Sequence, residues 1–118
     1  MENVNDINLL LDFYGALLGE KQRGVCEMYY GLDMTLAEIA EETETSRQAV
    51  SQSIGNSVRK LRGFDEKLGL LRRFTAAREI VGDLDGDVRT ISSNTLTEDA
   101  KEVLDDIRAK LGRLVEVL

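Results

Sequence analysis

The chain has 118 residues, with 22 acidic side chains against 15 basic ones, a net charge of −7, no proline, no histidine and one cysteine. This length suits one domain with a modest core, and the acidic balance argues against a general nucleic-acid coat protein. The lack of histidine removes the commonest general base and the commonest metal ligand, and no glycine-rich phosphate loop or activated nucleophile is recognisable. We therefore expect neither an enzyme nor a bound cofactor or metal.

Two features indicate where the protein works. No run approaches the roughly 20 apolar residues of a membrane span, and the acidic start of the chain lacks the positive charge of a secretory signal. Cys26 has no second cysteine with which to pair, and it lies in an apolar helical stripe, so we expect it to be a small core residue. The sequence predicts a cytoplasmic protein with no membrane association.

Apolar residues recur three and four positions apart along most of the chain, and this period predicts an all-α fold. The first helix is expected over about 6–18 and would end at Gly19. The second helix follows almost at once and stops at Gly31. The buried face of the first helix would comprise Ile7, Leu10, Leu11, Tyr14, Leu17 and Leu18.

The segment 35–54, TLAEIAEETETSRQAVSQSI, contains two short helical patterns joined by a three-residue break. This is the spacing of a helix-turn-helix, in which the second helix is presented to nucleic acid. Thr35 is expected to cap the first helix with Glu38 as its capping-box partner, and Ser46 to cap the second. The inward residues would be Leu36, Ile39, Ala40, Ala49, Val50 and Ile54. The outward ones are Arg47, Gln48, Ser51, Gln52 and Arg59.

A longer stretch, 9–68, resembles the YlxM family of small bacterial proteins. The motifs that carry the resemblance are FYGALL near the start, YY before the turn, LAEIAEE and SRQAV in the helix-turn-helix, and SVRKLRG, which is similar to the end of the sigma recognition helix. The resemblance implies a helical fold similar to region 4 of the major bacterial sigma factors, and a nucleic-acid-binding or regulatory function. It also implies a role in the signal recognition particle pathway, because the family's gene commonly neighbours that of the particle's GTPase.

The turn departs from the family pattern. Where the family usually has an aromatic residue, a glycine and a β-branched apolar residue, this chain has Thr43, Glu44 and Thr45. Glycine adopts a left-handed backbone conformation without steric cost, whereas glutamate there costs about 1 kcal/mol. Its negative charge beside the second helix would also repel phosphate. We therefore expect a looser or differently shaped turn and a weakened affinity for nucleic acid.

Beyond the turn, a heptad stripe of apolar residues predicts one long reading helix over about 46–82. Each glycine in it weakens the helix by about 1 kcal/mol, so any of the three is a candidate kink. These glycines are Gly55, Gly63 and Gly69. The acidic run DLDGD that follows is expected to be a solvated turn. It is not a calcium loop, because the sixth and twelfth positions counted from Asp83 are valine and asparagine.

The last helix carries a second heptad stripe, and Thr95 with Glu98 is a candidate capping box before it. The stripe comprises Ala100, Leu104, Ile107, Leu111, Leu114 and Leu118. It can be covered by folding back on the long helix or by pairing with a second chain, and we favour a homodimer. The predicted organisation is a single helical domain, 1–118, with a helix-turn-helix core over 1–74 and a helical extension over 75–118 for packing or dimerisation.

The charge is divided along the chain. Residues 1–45 carry ten acidic and two basic side chains (−8), residues 46–78 two acidic and eight basic (+6), and residues 79–118 ten acidic and five basic (−5). The basic block lies on the predicted reading helix, where it forms a candidate phosphate track. Alternatively, the arginines at its end, Arg72, Arg73 and Arg78, neutralise the acidic last helix.

Candidate contact residues lie on the outward side of the reading helix. Arginine suits guanine and glutamine suits adenine in the major groove, whereas other basic residues would hold phosphates. The candidate base-facing residues are Arg47, Gln48, Ser51 and Gln52, and the candidate phosphate-binding residues are Arg59, Lys60 and Arg62. Alternatively, Arg47 pairs with Glu44 or Glu41 across the turn and Gln48 is only solvated. An RNA duplex closes its major groove to a helix, so RNA would engage the arginines through phosphates and loops.

Three functional classes remain open. The first is a DNA-binding regulator of the sigma-like helix-turn-helix kind, acting as a dimer on two half-sites. The second is an accessory protein that contacts the RNA of the signal recognition particle or its GTPase, with the acidic flanks serving protein contact. The third is a region-4-like adaptor that binds RNA polymerase without touching DNA.

Overall fold

The computed structural model describes residues 3–92 and 97–117, and most of these residues are helical, with no β-strand among them. Six α-helices lie within them: α1 Val4–Tyr14, α2 Glu20–Cys26, α3 Leu36–Thr43, α4 Arg47–Leu68, α5 Leu70–Ser92 and α6 Glu98–Val117. The predicted all-α class with a helix-turn-helix is confirmed. The chain divides into two compact units, Met1–Leu71 and Arg72–Leu118, and its organisation as a single domain stays a prediction.

The first helix is shorter than predicted. α1 ends at Tyr14, and one 3-10 turn, Gly15–Leu17, follows before the chain becomes extended at Leu18. The buried residues Ile7, Leu10, Tyr14 and Leu18 agree with the prediction. Leu17 does not, because the tighter 3-10 turn changes the angular spacing of the side chains and leaves Leu17 60% exposed.

The second helix ends where the sequence indicated. α2 widens into a single π-helical turn, Glu27–Gly31, and the helical segment stops at Gly31. Cys26, the last residue of α2, is fully buried, which confirms that it is a core residue. Burial raises the pKa of the Cys26 thiol above its ordinary value, so the thiol is neutral at physiological pH.

One hydrophobic core organises the first unit. α1, α2 and α3 all contribute buried side chains to it, and the helices pack on one side of α4. The buried residues of α4 recur at helical spacing and are Val50, Ile54, Ser57, Val58 and Leu61. Ser57 is the polar member, and its hydroxyl donates to the Ser53 carbonyl at 2.8 Å, so no polar group is left unpaired by its burial.

The predicted long reading helix is in fact two helices that meet at Gly69. This glycine adopts φ 68° and ψ 26°, a left-handed conformation that ends α4. The Tyr14 hydroxyl donates to the Asp65 carboxylate at 2.8 Å and accepts from the Leu70 amide at 3.2 Å. Asp65 also accepts from the Leu71 amide at 3.0 Å. The first two amides of α5 are therefore capped by α1 and α4, which stabilises the break.

In the second unit, α6 folds back beside α5. Arg108 of α6 donates to Asp85 of α5 at 3.4 Å, and Val81 and Val88 of α5 are buried. The acidic turn expected at 83–87 is therefore wrong, because these residues are helical. Asp85 is held in the helix by Arg108 and by Arg89, whose Nε lies 3.0 Å from it.

The last helix begins at a different cap from the one proposed. The hydroxyl of Thr97 accepts a hydrogen bond from the Ala100 amide at 3.2 Å, so Thr97 is the N-cap and Glu98 is the first helical residue. The predicted cap, Thr95, lies outside the described residues. None of the helices in the described part of the chain combines the length and the apolar character needed to cross a bilayer.

Candidate nucleic-acid interface

Both helices of the motif begin at the predicted caps. Glu38 donates its amide to the Thr35 hydroxyl at 3.1 Å and accepts the Thr35 amide on its carboxylate at 3.1 Å, which completes a capping box. The Ser46 hydroxyl accepts the Ala49 amide at 3.0 Å. These contacts fix the residue at which each helix starts, and so they fix which side chains α4 presents.

The turn between the helices retains a left-handed residue although it contains no glycine. Glu44 adopts φ 54° and ψ 42°. Its amide donates to the Glu41 carbonyl at 3.3 Å, and the Thr45 amide donates to the Ala40 carbonyl at 3.0 Å. This is the pair of bonds of a Schellman motif, which satisfies the last carbonyls of α3. Glutamate therefore occupies the left-handed position that glycine fills without steric cost.

The two threonines beside Glu44 close the turn further. The Thr43 hydroxyl donates to the Ile39 carbonyl at 2.7 Å and lies 2.9 Å from the Thr45 hydroxyl. The expectation of a loose turn is thus wrong, because these hydroxyls supply bonds that an aromatic or β-branched apolar residue could not make.

α4 presents one continuous polar row away from the core. Counting in steps of four and three from Gln48, the row passes through exposed polar residues and one glycine before it ends at Glu66. Its members are Gln48, Gln52, Gly55, Arg59, Arg62 and Glu66. Arg47 and Ser51 are exposed beside its first turn. The row therefore contains four of the seven predicted contact residues, Ser51 borders it, and Arg47 lies about 100° around the helix from Gln48.

Lys60 lies outside the row too, on the opposite flank from Arg47. It follows Arg59 by one residue, which rotates its side chain by about 100° around the helix, towards α2. Its ammonium donates to the Gln22 side chain at 3.1 Å. The prediction grouped Lys60 with the arginines because these basic residues are close in the sequence. It did not take into account where each side chain lies around the helix.

Arg47 is not tied to the acidic turn. No hydrogen bond or ion pair joins it to Glu41 or Glu44 within the described part of the chain, so the alternative in which the turn neutralises Arg47 is not what this structure contains. Ala49, predicted to be inward, is exposed. It lines a cleft of about 440 Å³ beside α2, because the first turn of α4 extends past the core, where Val50 alone is buried.

Gly55 is a feature of the face that the sequence suggested only as a kink. α4 continues through it as a regular helix, so it is not a kink. It lies in the polar row between Gln52 and Arg59, and a Cβ built on it would have the Arg59 guanidinium as its nearest neighbour, at 3.7 Å. Arg59 also bonds Asn56. The row therefore has a bare backbone at its centre, over which the Arg59 side chain lies.

The basic stripe does not continue along one rod. Because α4 ends before Gly69, Arg72 and the basic residues after it lie on a separate helix. Arg78 lies 5.8 Å from the centre of the Phe74 ring, a cation–π distance. Among residues 3–92 and 97–117, no three acidic or cysteine side chains converge as metal ligands.

The capped helix pair, its closed turn and the polar face of α4 define a protein of the helix-turn-helix class. Residues 1–103 match the family UPF0122, described as "Putative helix-turn-helix protein, YlxM / p13 like". The chain belongs to this family, as the sequence motifs indicated.

Similar proteins cover most of the chain. A UPF0122 protein of Clostridium perfringens is 40% identical over 106 residues, which is 90% of this chain and 93% of the relative. One from Desulforamulus reducens is 41% identical over 90 residues, covering 73% and 77% of the two chains. One from Listeria welshimeri is 36% identical over 107 residues, covering 91% and 96%.

Proposed function

We propose that this protein is a nucleic-acid-binding regulator rather than an enzyme, and that it reads duplex DNA with the outer face of α4 as a cytoplasmic homodimer. The observation that carries the proposal is the composition of that face. From Arg47 to Arg62 the helix contains no acidic residue, although the chain as a whole has a net charge of −7. Its exposed amide and guanidinium groups are the donors that base edges and phosphates accept.

The position of each side chain suggests its role. Arg47, Gln48, Ser51 and Gln52 occupy the first two turns, which is the part of a recognition helix that reaches base edges. Arg59 lies about two turns beyond Gln52 along the same side, and Arg62 almost one turn further, where they would hold the phosphate backbone. Helix α4 is supported from behind by the core, so its backbone is in place before DNA arrives and binding requires no folding of the helix.

Binding can be tested with the sequence preferred by the protein, selected from random duplexes, against scrambled DNA. Arg47→Ala combined with Gln48→Ala should lose sequence discrimination by about 1 to 3 kcal/mol for each base contact removed. If the affinities for the preferred duplex and for scrambled DNA fall equally, or if neither affinity changes, the proposed base readout is wrong.

Two neighbouring basic residues supply a matched control for the face itself. Arg59→Ala should weaken binding to every sequence and reduce the slope of log K against log salt by about 1. Lys60→Ala removes the same charge from the adjacent position but on the side that faces α2, so it should leave the slope unchanged. A larger effect of Lys60→Ala would show that another side of α4 meets the nucleic acid.

A second candidate is an accessory function in the signal recognition particle pathway, through the particle's RNA or its GTPase. The charge distribution favours it: residues 1–45 carry −8 and residues 79–118 carry −5, which suits contact with a basic protein surface. Titration with the particle's RNA and with the GTPase separates the candidates. Binding to either partner that is insensitive to Arg47→Ala with Gln48→Ala, together with no DNA preference, would favour this second function.

A further inference from the structure

The second unit leaves apolar side chains exposed on both of its helices. Ile80, Leu84 and Ile91 of α5 are 61%, 47% and 54% exposed, and Val103, Ile107 and Leu114 of α6 are 59%, 38% and 46% exposed. We call these six residues the apolar face. An isolated exposed leucine is ordinary, but six large apolar residues within one helical hairpin form a patch of the kind that marks an interaction surface.

The six residues lie on one side of the hairpin. The residues between the two helices include Val81 and Asp85 on α5 and Arg108 and Val115 on α6. Ile80, Leu84, Ile107 and Leu114 come immediately before these four residues, and Ile91 and Val103 continue the same two rows at helical spacing. On each helix, a step of one residue towards the N-terminus rotates the side-chain direction by about 100° around the helix axis. Because the helices run antiparallel, the same rotation turns both rows to the same side.

We propose that the apolar face is the self-association surface of this protein. Two copies pack their faces together as a four-helix bundle, in which α5 of one copy lies antiparallel on α6 of the other. This inference rests on the homodimer of the proposed function but not on its nucleic-acid ligand. A flat two-helix layer that is apolar on one side is half of such a bundle, and a second identical layer completes it.

Charge selects the second copy and its orientation. The row on α5 follows the spacing 80, 84, 87, 91, and its third position is the exposed Asp87. The row on α6 follows 103, 107, 110, 114, and its third position is the exposed Lys110. Each row is thus interrupted once, with opposite charges. Packing α5 on the partner's α5 would oppose two aspartates, whereas packing α5 on the partner's α6 brings Asp87 towards a lysine.

The register of the hairpin agrees with this pairing. Since Asp85 meets Arg108, Asp87 is level with Asp106, one turn from Lys110. Lys110 lies 2.8 Å from Asp106 within its own helix, so in the dimer it would lie between two carboxylates. Both copies of Arg72, the first residue of the unit, would lie at the same end of the bundle.

Sedimentation of the full-length protein without nucleic acid tests the surface. The wild type is expected to sediment as a dimer. Ile107→Glu and, on the other helix, Leu84→Glu should each raise the dimer dissociation constant at least tenfold while the far-ultraviolet circular dichroism stays helical. Leu32→Glu changes an equally apolar residue that is 70% exposed in the first unit, and it should remain dimeric. A monomeric wild type, or a helical dimer in both face variants, would overturn the proposal.

A charge swap tests the orientation. Asp87→Lys and Lys110→Asp should each weaken the dimer, and the double variant should recover most of the loss, because both rows again carry opposite charges. Failure of the double variant to recover would refute the α5-on-α6 arrangement. Loss of DNA binding in a variant that still dimerises would count against the proposed function alone, so the two proposals fail separately.

Discussion

The left-handed glutamate in the turn gives the sharpest prediction about stability and charge together. A side chain with a Cβ in the conformation of Glu44, φ 54° and ψ 42°, costs about 1 to 2 kcal/mol, which glycine avoids. Glycine also gives the unfolded chain more freedom, which offsets about 0.4 to 1 kcal/mol of the gain. Glu44→Gly should therefore stabilise the first unit by about 0.5 to 1 kcal/mol.

Glu44→Gln is the matched control, because it removes the charge and keeps the Cβ. Its stability should stay within about 0.5 kcal/mol of the wild type. Both variants should bind nucleic acid more tightly, and the gain should be larger at about 10 mM salt than at about 150 mM, where the screening length falls from about 30 Å to about 8 Å. The backbone change and the charge change are thereby measured separately.

Urea unfolding followed by tyrosine fluorescence is a suitable assay. The chain has no tryptophan, and its three tyrosines, at positions 14, 29 and 30, all belong to the first unit, so the signal reports the unit that contains the turn. Equal stability of Glu44→Gly and Glu44→Gln would refute the claim that the turn carries conformational strain. A gain in affinity for Glu44→Gly alone would show that turn geometry, rather than charge, limits binding.

Three further predictions concern the reading face, the helix break and the buried thiol. Gly55→Ala and Gly63→Ala should each stabilise α4 by about 1 kcal/mol, because neither added Cβ meets a close neighbour. Only Gly55→Ala should weaken DNA binding. Equal DNA affinity of the two variants would contradict a role for the bare backbone at Gly55. Tyr14→Phe should destabilise the first unit by about 1.5 to 3 kcal/mol in urea, because its hydroxyl bonds a carboxylate, and a change within error would show that the cap of α5 contributes nothing. Burial raises the pKa of Cys26 in the folded protein. The free energy of unfolding should therefore be constant with respect to this thiol below its ordinary pKa of about 8.5, and it should fall as the pH rises above that value. Cys26→Ala should show a flatter pH dependence in that range, and an unchanged dependence would exclude the thiol as its cause.

Local signals predicted the helix-turn-helix well. Thr35, Glu38 and Ser46 act through hydrogen bonds that span three residues, so their chemistry can be deduced without knowledge of the fold. Gly31 ends the second helical segment as expected. The spacing of apolar residues correctly placed Ile39 in the core because one face of a short helix is set by its period alone.

The sequence named Gly69 as one of three candidate kinks, but the same signals did not distinguish it from the other two glycines. The apolar spacing continues across it, and a heptad stripe does not distinguish one helix from two with a one-residue interruption. What stabilises the break is the bond between Tyr14 and Asp65, which joins positions 51 residues apart. The helical state of 83–87 has a similar origin, since Asp85 is held by Arg108 from the neighbouring helix.

The sequence indicated which residues belong to the candidate site, but not on which side of α4 each side chain lies. The sequence treated Arg59 and Lys60 alike because they are adjacent basic residues, whereas one residue of rotation separates the outer face from the side that bonds Gln22. Gly55 was one of three candidate kinks, but it is part of a regular helix and leaves bare backbone at the centre of the face.

The central claim is that the outer face of α4 binds nucleic acid with sequence preference. It is tested most directly by fluorescence anisotropy with the purified protein, using duplex DNA from the region upstream of its own gene, scrambled duplex and signal recognition particle RNA, at two salt concentrations. We predict that the upstream duplex binds more tightly than the scrambled duplex at the higher salt, where phosphate contacts are weakened most. Equal binding to both duplexes, preference for the RNA, or no binding at all would contradict the claim.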